Sequence, residues 1–177
     1  MLIKLKNLVL HSNTGADAIQ KAPIVNYDTG IRCARVGDFS NNRDYHNWGF
    51  CKVDQDIYNQ YKLIKDDIIV TRTASLGLCK IIESNINAVY NNGIIRLKCD
   101  KSKIIPKFLY YVMQSDKYFG YIQGIEGGSS TRPNMKINFL LDYSFELPKF
   151  DIQQHIVNTN PSNILILCIA LYYLYLQ

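Results

Sequence analysis

The sequence predicts an α+β domain: a twisted, mostly antiparallel or mixed sheet with short helices packed on it, followed by an apolar C-terminal segment. Three observations predict it. Short β-branched runs bounded by turn residues recur along the chain, as at Ile68, Ile69 and Val70 behind Asp66-Asp67. One stretch, Pro106 to Gln114, places its large apolar residues at helical spacing. Every Lys, Arg, Asp and Glu lies at or before Asp151, so the composition changes abruptly near the end.

Composition sets the frame for these elements. The chain has 177 residues, 47% hydrophobic and 20% charged, which makes it globular and suits one domain, or one domain with an appendage. A net charge of +5 permits nucleic-acid binding without demanding it. The five cysteines form no C-x-x-C pair, and four of them sit in or beside apolar strand-like runs. This suits a reduced, cytoplasmic protein with neither a zinc site nor a disulfide framework. Met1 to Leu10 alternates apolar residues with Lys and lacks the continuous apolar stretch of a signal peptide.

In order along the chain, Ile31 to Val36 alternates as a strand. Asp54 to Ile64 reads as a short helix, with Ile57, Tyr58 and Tyr61 on one side. Asp66-Asp67 reads as the turn that starts the next strand, Ile68 to Thr73, rather than as a magnesium site. Gly77 to Glu83 and Ile94 to Cys99 are further strands. Pro106 suits the first turn of a helix whose Phe108, Leu109, Val112 and Met113 form a buried stripe. Ser115-Asp116 ends it, and Lys117 to Ile122 forms a second short helix. Gly124 to Pro133 is a loop, Met135 to Leu141 a helix, and Tyr143 to Leu147 a strand-like run. A turn-prone linker near Asn158 to Asn163 separates residues 1–157 from the end of the chain. Ile164 to Leu176 offers about 13 apolar residues, short of the ~18–20 that span a bilayer.

Several activities lack their residues. There is no P-loop, no G-x-G-x-x-G, no nucleophile motif and no [DN]-P-P-[YF]. None of the 15 acidic residues has Lys two positions later, so the metal-nuclease half-motif D/E-x-K is absent. His11, His46 and His155 lie far apart in sequence. No catalytic constellation, cofactor site or metal site is expected.

Three segments carry groups that suit nucleic acid. The first, Arg32 to Trp48, holds Arg32, Arg35, Asn41, Asn42, Arg43 and Tyr45; Arg pairs bidentately with guanine and Asn with adenine. The second, Arg72 to Lys80, gathers Arg72, Thr73 and Ser75 at the end of a strand. The third, Gly127 to Lys136, offers Gly128, Ser129, Ser130, Arg132 and Lys136 for phosphate oxygens. The plain alternatives are a solvated polar loop, a hairpin turn and a mobile loop.

Six ordered stretches resemble the target recognition domains of type I restriction-modification specificity subunits. They are GIRCARVGDF from Gly30, LIKDDIIVTRTASLG from Leu63, NGIIRL from Asn92, PKFLYYVMQS from Pro106, GGSSTRPNMK from Gly127 and LPKFDIQQHIV from Leu147. The resemblance covers residues 1–157 and implies a non-catalytic reader of one half of a bipartite double-stranded DNA target. It implies partnership with methyltransferase subunits, which use S-adenosylmethionine, and with restriction subunits. The arginines and asparagines of the first segment would read base edges or position the chain, Arg72, Thr73 and Ser75 would approach the duplex, and the third segment would hold phosphates. After Val157 the family continues into a long charged spacer helix, whereas residues 158–177 form a linker and apolar segment without heptads. That segment suits association, including a homodimer, and no membrane anchor. The alternative function is a truncated specificity fragment that acts only in protein association.

Overall fold

The computed structural model describes residues 2–15, 23–126 and 134–159. Its strands are β1 (Leu2–Lys4), β2 (Val9–Thr14), β3 (Ile24–Val25), β4 (Arg32–Ala34), β5 (Gly49–Cys51), β6 (Ile68–Thr71), β7 (Cys79–Ile81), β8 (Ala88–Tyr90), β9 (Ile94–Cys99) and β10 (Ser144–Glu146). Its α-helices are α1 (Val36–Ser40), α2 (Gln55–Tyr61), α3 (Pro106–Val112), α4 (Asp116–Glu126), α5 (Ile137–Asp142) and α6 (Phe150–Asn158). The strands form an antiparallel β1-β10 pair, an antiparallel sheet β2-β9-β6-β7 and a sheet β3-β5-β4-β8, in which β4 and β8 run parallel.

The sheet β2-β9-β6-β7 is the common wall of two cores. Ile68 and Val70 of β6 face one core with Ile95 and Leu97 of β9, and Ile69 and Ile94 face the other. Successive side chains of a strand point to opposite faces, so a strand covered on both sides needs an unbroken apolar run. The sequence Ile68-Ile69-Val70 supplies one, and all three residues have no solvent exposure. Each is worth about 1.5–3 kcal/mol of burial.

The first core lies between this sheet and α3 to α6. Phe108, Leu109 and Val112 of α3 are buried there, as the helical spacing predicts. Gln153 of α6 is also buried. Its Oε1 accepts from Ile105 N at 2.9 Å and its Nε2 donates to Pro148 O at 3.0 Å, so one amide ties α6 to the start of α3. The second core lies between the other face and the sheet β3-β5-β4-β8 with α2. The Asp54 carboxylate caps α2 by accepting from Ile57 N at 2.8 Å, and Ile57 and Tyr61 are buried beneath it.

Asp66-Asp67 makes the turn that starts β6. Asp66 takes a left-handed φ of 74° and pairs with Lys101 Nζ at 2.5 Å. Asp67 is buried, and its Oδ2 accepts from Ile64 N at 3.0 Å. Burial holds its carboxyl above the ordinary carboxylate range, opposed by that hydrogen bond and by the charges of Arg96 and Lys98.

The expected fold class is corrected on two points. The strands divide into three sheets rather than forming one twisted sheet. The apolar C-terminal segment is no part of the described fold, whose last element is α6, with apolar residues on one side only. Among the described residues no helix is long and apolar enough to cross a membrane. The stretch from Ile164 to Leu176 lies outside the described residues.

Candidate nucleic-acid interface

The chain leaves β4, β6 and β8 at one end of the domain, where α1 and the residues before α5 also arrive. At the end of β4, Arg35 N donates to Asp38 Oδ2 at 2.9 Å, which starts α1, and Arg43 Nη1 lies 3.6 Å from Asp38 Oδ1. Asp38 is buried while Arg35 and Arg43 are exposed, so a buried carboxylate anchors a solvent-facing basic loop. Asn41 Nδ2 donates to Gly37 O at 2.7 Å. Asn42 closes the helix in a left-handed conformation, φ 48°, and its Oδ1 accepts from Lys80 Nζ at 3.4 Å.

Arg32 turns away from this surface. Its guanidinium lies 4.1 Å from the Phe50 ring centroid and 5.7 Å from that of Tyr45, and it donates to Trp48 O. Tyr45 packs edge-on to Trp48 at 5.8 Å. Arg32 and Tyr45 therefore brace the loop that presents Asn41, Asn42 and Arg43.

At the end of β6, Thr71 Oγ1 accepts from Leu78 N at 3.0 Å and donates to Ser75 O, closing the loop on itself. Gly77 sits at φ 78°, and a Cβ there would meet Ile122 at 2.9 Å, so this position needs glycine. Arg72 is half-buried. Its Nε donates to Met135 O at 3.1 Å and its Nη1 to Asn92 O at 3.3 Å. Thr73 bridges to Asn134, and Met135 N donates to Arg72 O at 2.8 Å. Ser40 Oγ donates to Ser75 Oγ at 3.3 Å, joining the first two segments.

The structure thus brings together Arg35, Asn41, Asn42, Arg43, Arg72, Thr73 and Ser75. It also brings in the flank of the third segment, where Lys136 is exposed at the start of α5. Gly128, Ser129, Ser130 and Arg132 lie outside the described residues.

Sequence reasoning missed Asn91, Asn92 and Gly93, the turn from β8 to β9. Asn-Gly between two apolar runs is a hairpin signal that would have marked it. Here the turn joins strands of two different sheets. A Cβ on Gly93 would lie 2.6 Å from Val36 and 2.9 Å from Thr73 Oγ1, so this glycine allows the β4 and β6 ends to meet.

The sequence profile of the type I restriction modification DNA specificity domain matches residues 9–159. None of the curated proteins matches the chain. Among solved structures, the chain is similar to the type I restriction-modification system S subunit from M. genitalium, with a TM-score of 0.58 and 17% identity over 90% of this chain and 37% of that one. It is similar to the HsdS subunit from Thermoanaerobacter tengcongensis, with a TM-score of 0.64 and 12% identity over 90% of this chain and 40% of that one. It is also similar to a chain from a structure describing complex assembly and conformational transition of the type I R-M system, with a TM-score of 0.61 and 14% identity over 94% of this chain and 39% of that one. At these identities the likeness shows the fold, and the chain spans about two fifths of their length. Specificity subunits are the non-catalytic components of such systems. With the profile covering most of its length and the same fold in the solved S subunits, this chain belongs to the type I restriction modification DNA specificity domain family.

Proposed function

We propose that residues 1–157 form a target recognition domain that reads one half of a bipartite double-stranded DNA site. By this reading it directs methyltransferase and restriction subunits, works in the cytoplasm and needs no cofactor of its own. The observation that carries the reading is the convergence of the β4, β6 and β8 ends with the residues before α5. Exposed Arg35, Asn41, Asn42, Arg43, Ser75 and Lys136 share that end of the domain. Amides on a scaffolded loop suit base edges, arginines suit base edges or phosphates, and hydroxyls and Lys136 suit phosphates. Arg32, Tyr45, Arg72 and Thr73 position the loops, and Gly128, Ser129, Ser130 and Arg132 complete the phosphate contacts.

Selection of the purified chain against a randomised duplex pool at two salt concentrations tests this. Enrichment of a motif of about three to five base pairs, with affinity falling as salt rises, is the expected result. A well-folded sample that gives no enrichment and no salt dependence would refute it and leave protein association as the function. A methyltransferase subunit added to the selected complex should tighten it.

A further inference from the structure

Beside the turn from β8 to β9 is a cleft of about 290 Å³ lined by Arg35, Asn41, Arg43 and Asn91, with Val36, Gly37 and Asp38. Asn91 is its floor. The residue is 8% exposed, and its Oδ1 accepts from Gly93 N at 3.0 Å. That bond fixes the side-chain amide and turns Nδ2 away from Gly93. Asn91 Nδ2 has no partner among the described residues, yet it is not sealed from solvent as Arg96 Nε is. Asn91 thus lines the cleft with an amide that has a donor unpartnered among the described residues. A donor left in this state costs free energy unless water or a ligand accepts from it.

The charged groups around it are two guanidiniums and the Asp38 carboxylate, whose oxygens face Arg35 N and Arg43. Arg35 has no ion-pair partner among the described residues, and Arg43 is drawn only loosely, at 3.6 Å, toward Asp38. Asn41 spends its own Nδ2 on Gly37 O. Two guanidiniums against one carboxylate leave one net positive charge. A neutral base edge would leave that charge unmatched, whereas a phosphodiester balances it. We propose that this cleft binds a single backbone phosphate, with Asn91 Nδ2 donating from below and Arg35 and Arg43 from the rim. The DNA source of that phosphate rests on the half-site reading; the oxyanion chemistry of the cleft does not.

Asn91→Asp is the informative variant. It keeps an oxygen for Gly93 N, so the turn survives, and it replaces the free donor with a carboxylate oxygen. Its melting midpoint, measured first, serves as the control for folding. In one arm, inorganic phosphate is titrated into the full chain and followed by ¹H–¹⁵N NMR. The wild type should shift the Asn91 side-chain amide and the Arg35 and Arg43 Nε–H signals, and Asn91→Asp should abolish the arginine shifts. In the other arm, duplex binding is measured against salt. The variant should bind all sequences about 10- to 100-fold more weakly and lower the salt slope by about one phosphate contact. Arginine shifts unchanged in Asn91→Asp would overturn the site. A changed preference at one base pair with an unchanged salt slope would also overturn it and assign the cleft to a guanine edge. If the wild type binds no duplex, the half-site reading fails, and the phosphate titration still decides the cleft.

Discussion

Arg72 is the residue whose role differs most between a surface contact and a structural one, and Arg72→Ala separates the two. Its guanidinium holds two carbonyls, Met135 O at 3.1 Å and Asn92 O at 3.3 Å, that belong to segments far apart in sequence. A hydrogen bond to a charged group is worth about 1.5–3 kcal/mol. The half-exposed setting places each of these at or below the lower end, so together they give about 2–3 kcal/mol. For a domain of this size that lowers the melting midpoint by roughly 4–12 °C. Thermal unfolding followed by circular dichroism gives the number. Arg72→Lys should recover less than half of it, because one ammonium does not reproduce two diverging donors. Arg72 is a surface contact instead if Arg72→Ala melts within ~0.5 kcal/mol of the wild type while lowering the salt slope of duplex binding by about one contact.

Three further outcomes are expected. Gly77→Ala combines a left-handed φ of 78° with a Cβ 2.9 Å from Ile122, and thermal unfolding should show a loss of about 2–4 kcal/mol; a loss under ~1 kcal/mol would mean the β6–β7 loop relaxes freely. Burial raises the folded-state Asp67 carboxyl above its unfolded value, so the stability it contributes is full at low pH and is lost as pH rises through the raised value. Asp67→Asn should therefore melt higher than the wild type at pH 7, with the gap closing as pH falls toward the ordinary carboxylate range; a gap that widens in acid would reverse the sign. The Cys79 and Cys99 thiols are buried and pushed up to about 12, so iodoacetamide at pH 8 should label them only after denaturation, as read by mass spectrometry.

Sequence periodicity located the elements whose burial pattern is local. The strand from Ile94 to Cys99 has its expected bounds, and the helix from Pro106 buries the expected stripe. Strands of two or three residues were harder, because β3, β5 and β8 are too short to establish an alternation. Sheet partition was not legible either, since pairing of β4 with β8 depends on residues more than fifty positions apart. In the candidate interface, residue type picked out Asn41, Asn42 and Arg43 beyond a strand, and all three are exposed; Arg35, expected inside that strand, lies just past its end and is exposed too. It did not distinguish Arg32 and Arg72, whose guanidiniums are satisfied by carbonyls and rings that only the fold brings near. Asn91 was invisible for the same reason: its free donor is defined by what its other oxygen is doing.

The order of the strands has a consequence for how such a domain can be exchanged. Between β2 and β9 the chain passes from one four-stranded sheet to the other and back, twice. No single cut between β3 and β8 leaves either sheet intact. A crossover between related genes inside this region would join strands from different parents along β9. Workable exchanges lie outside it, so a new set of end loops travels with its whole scaffold, while change within the scaffold has to come one substitution at a time.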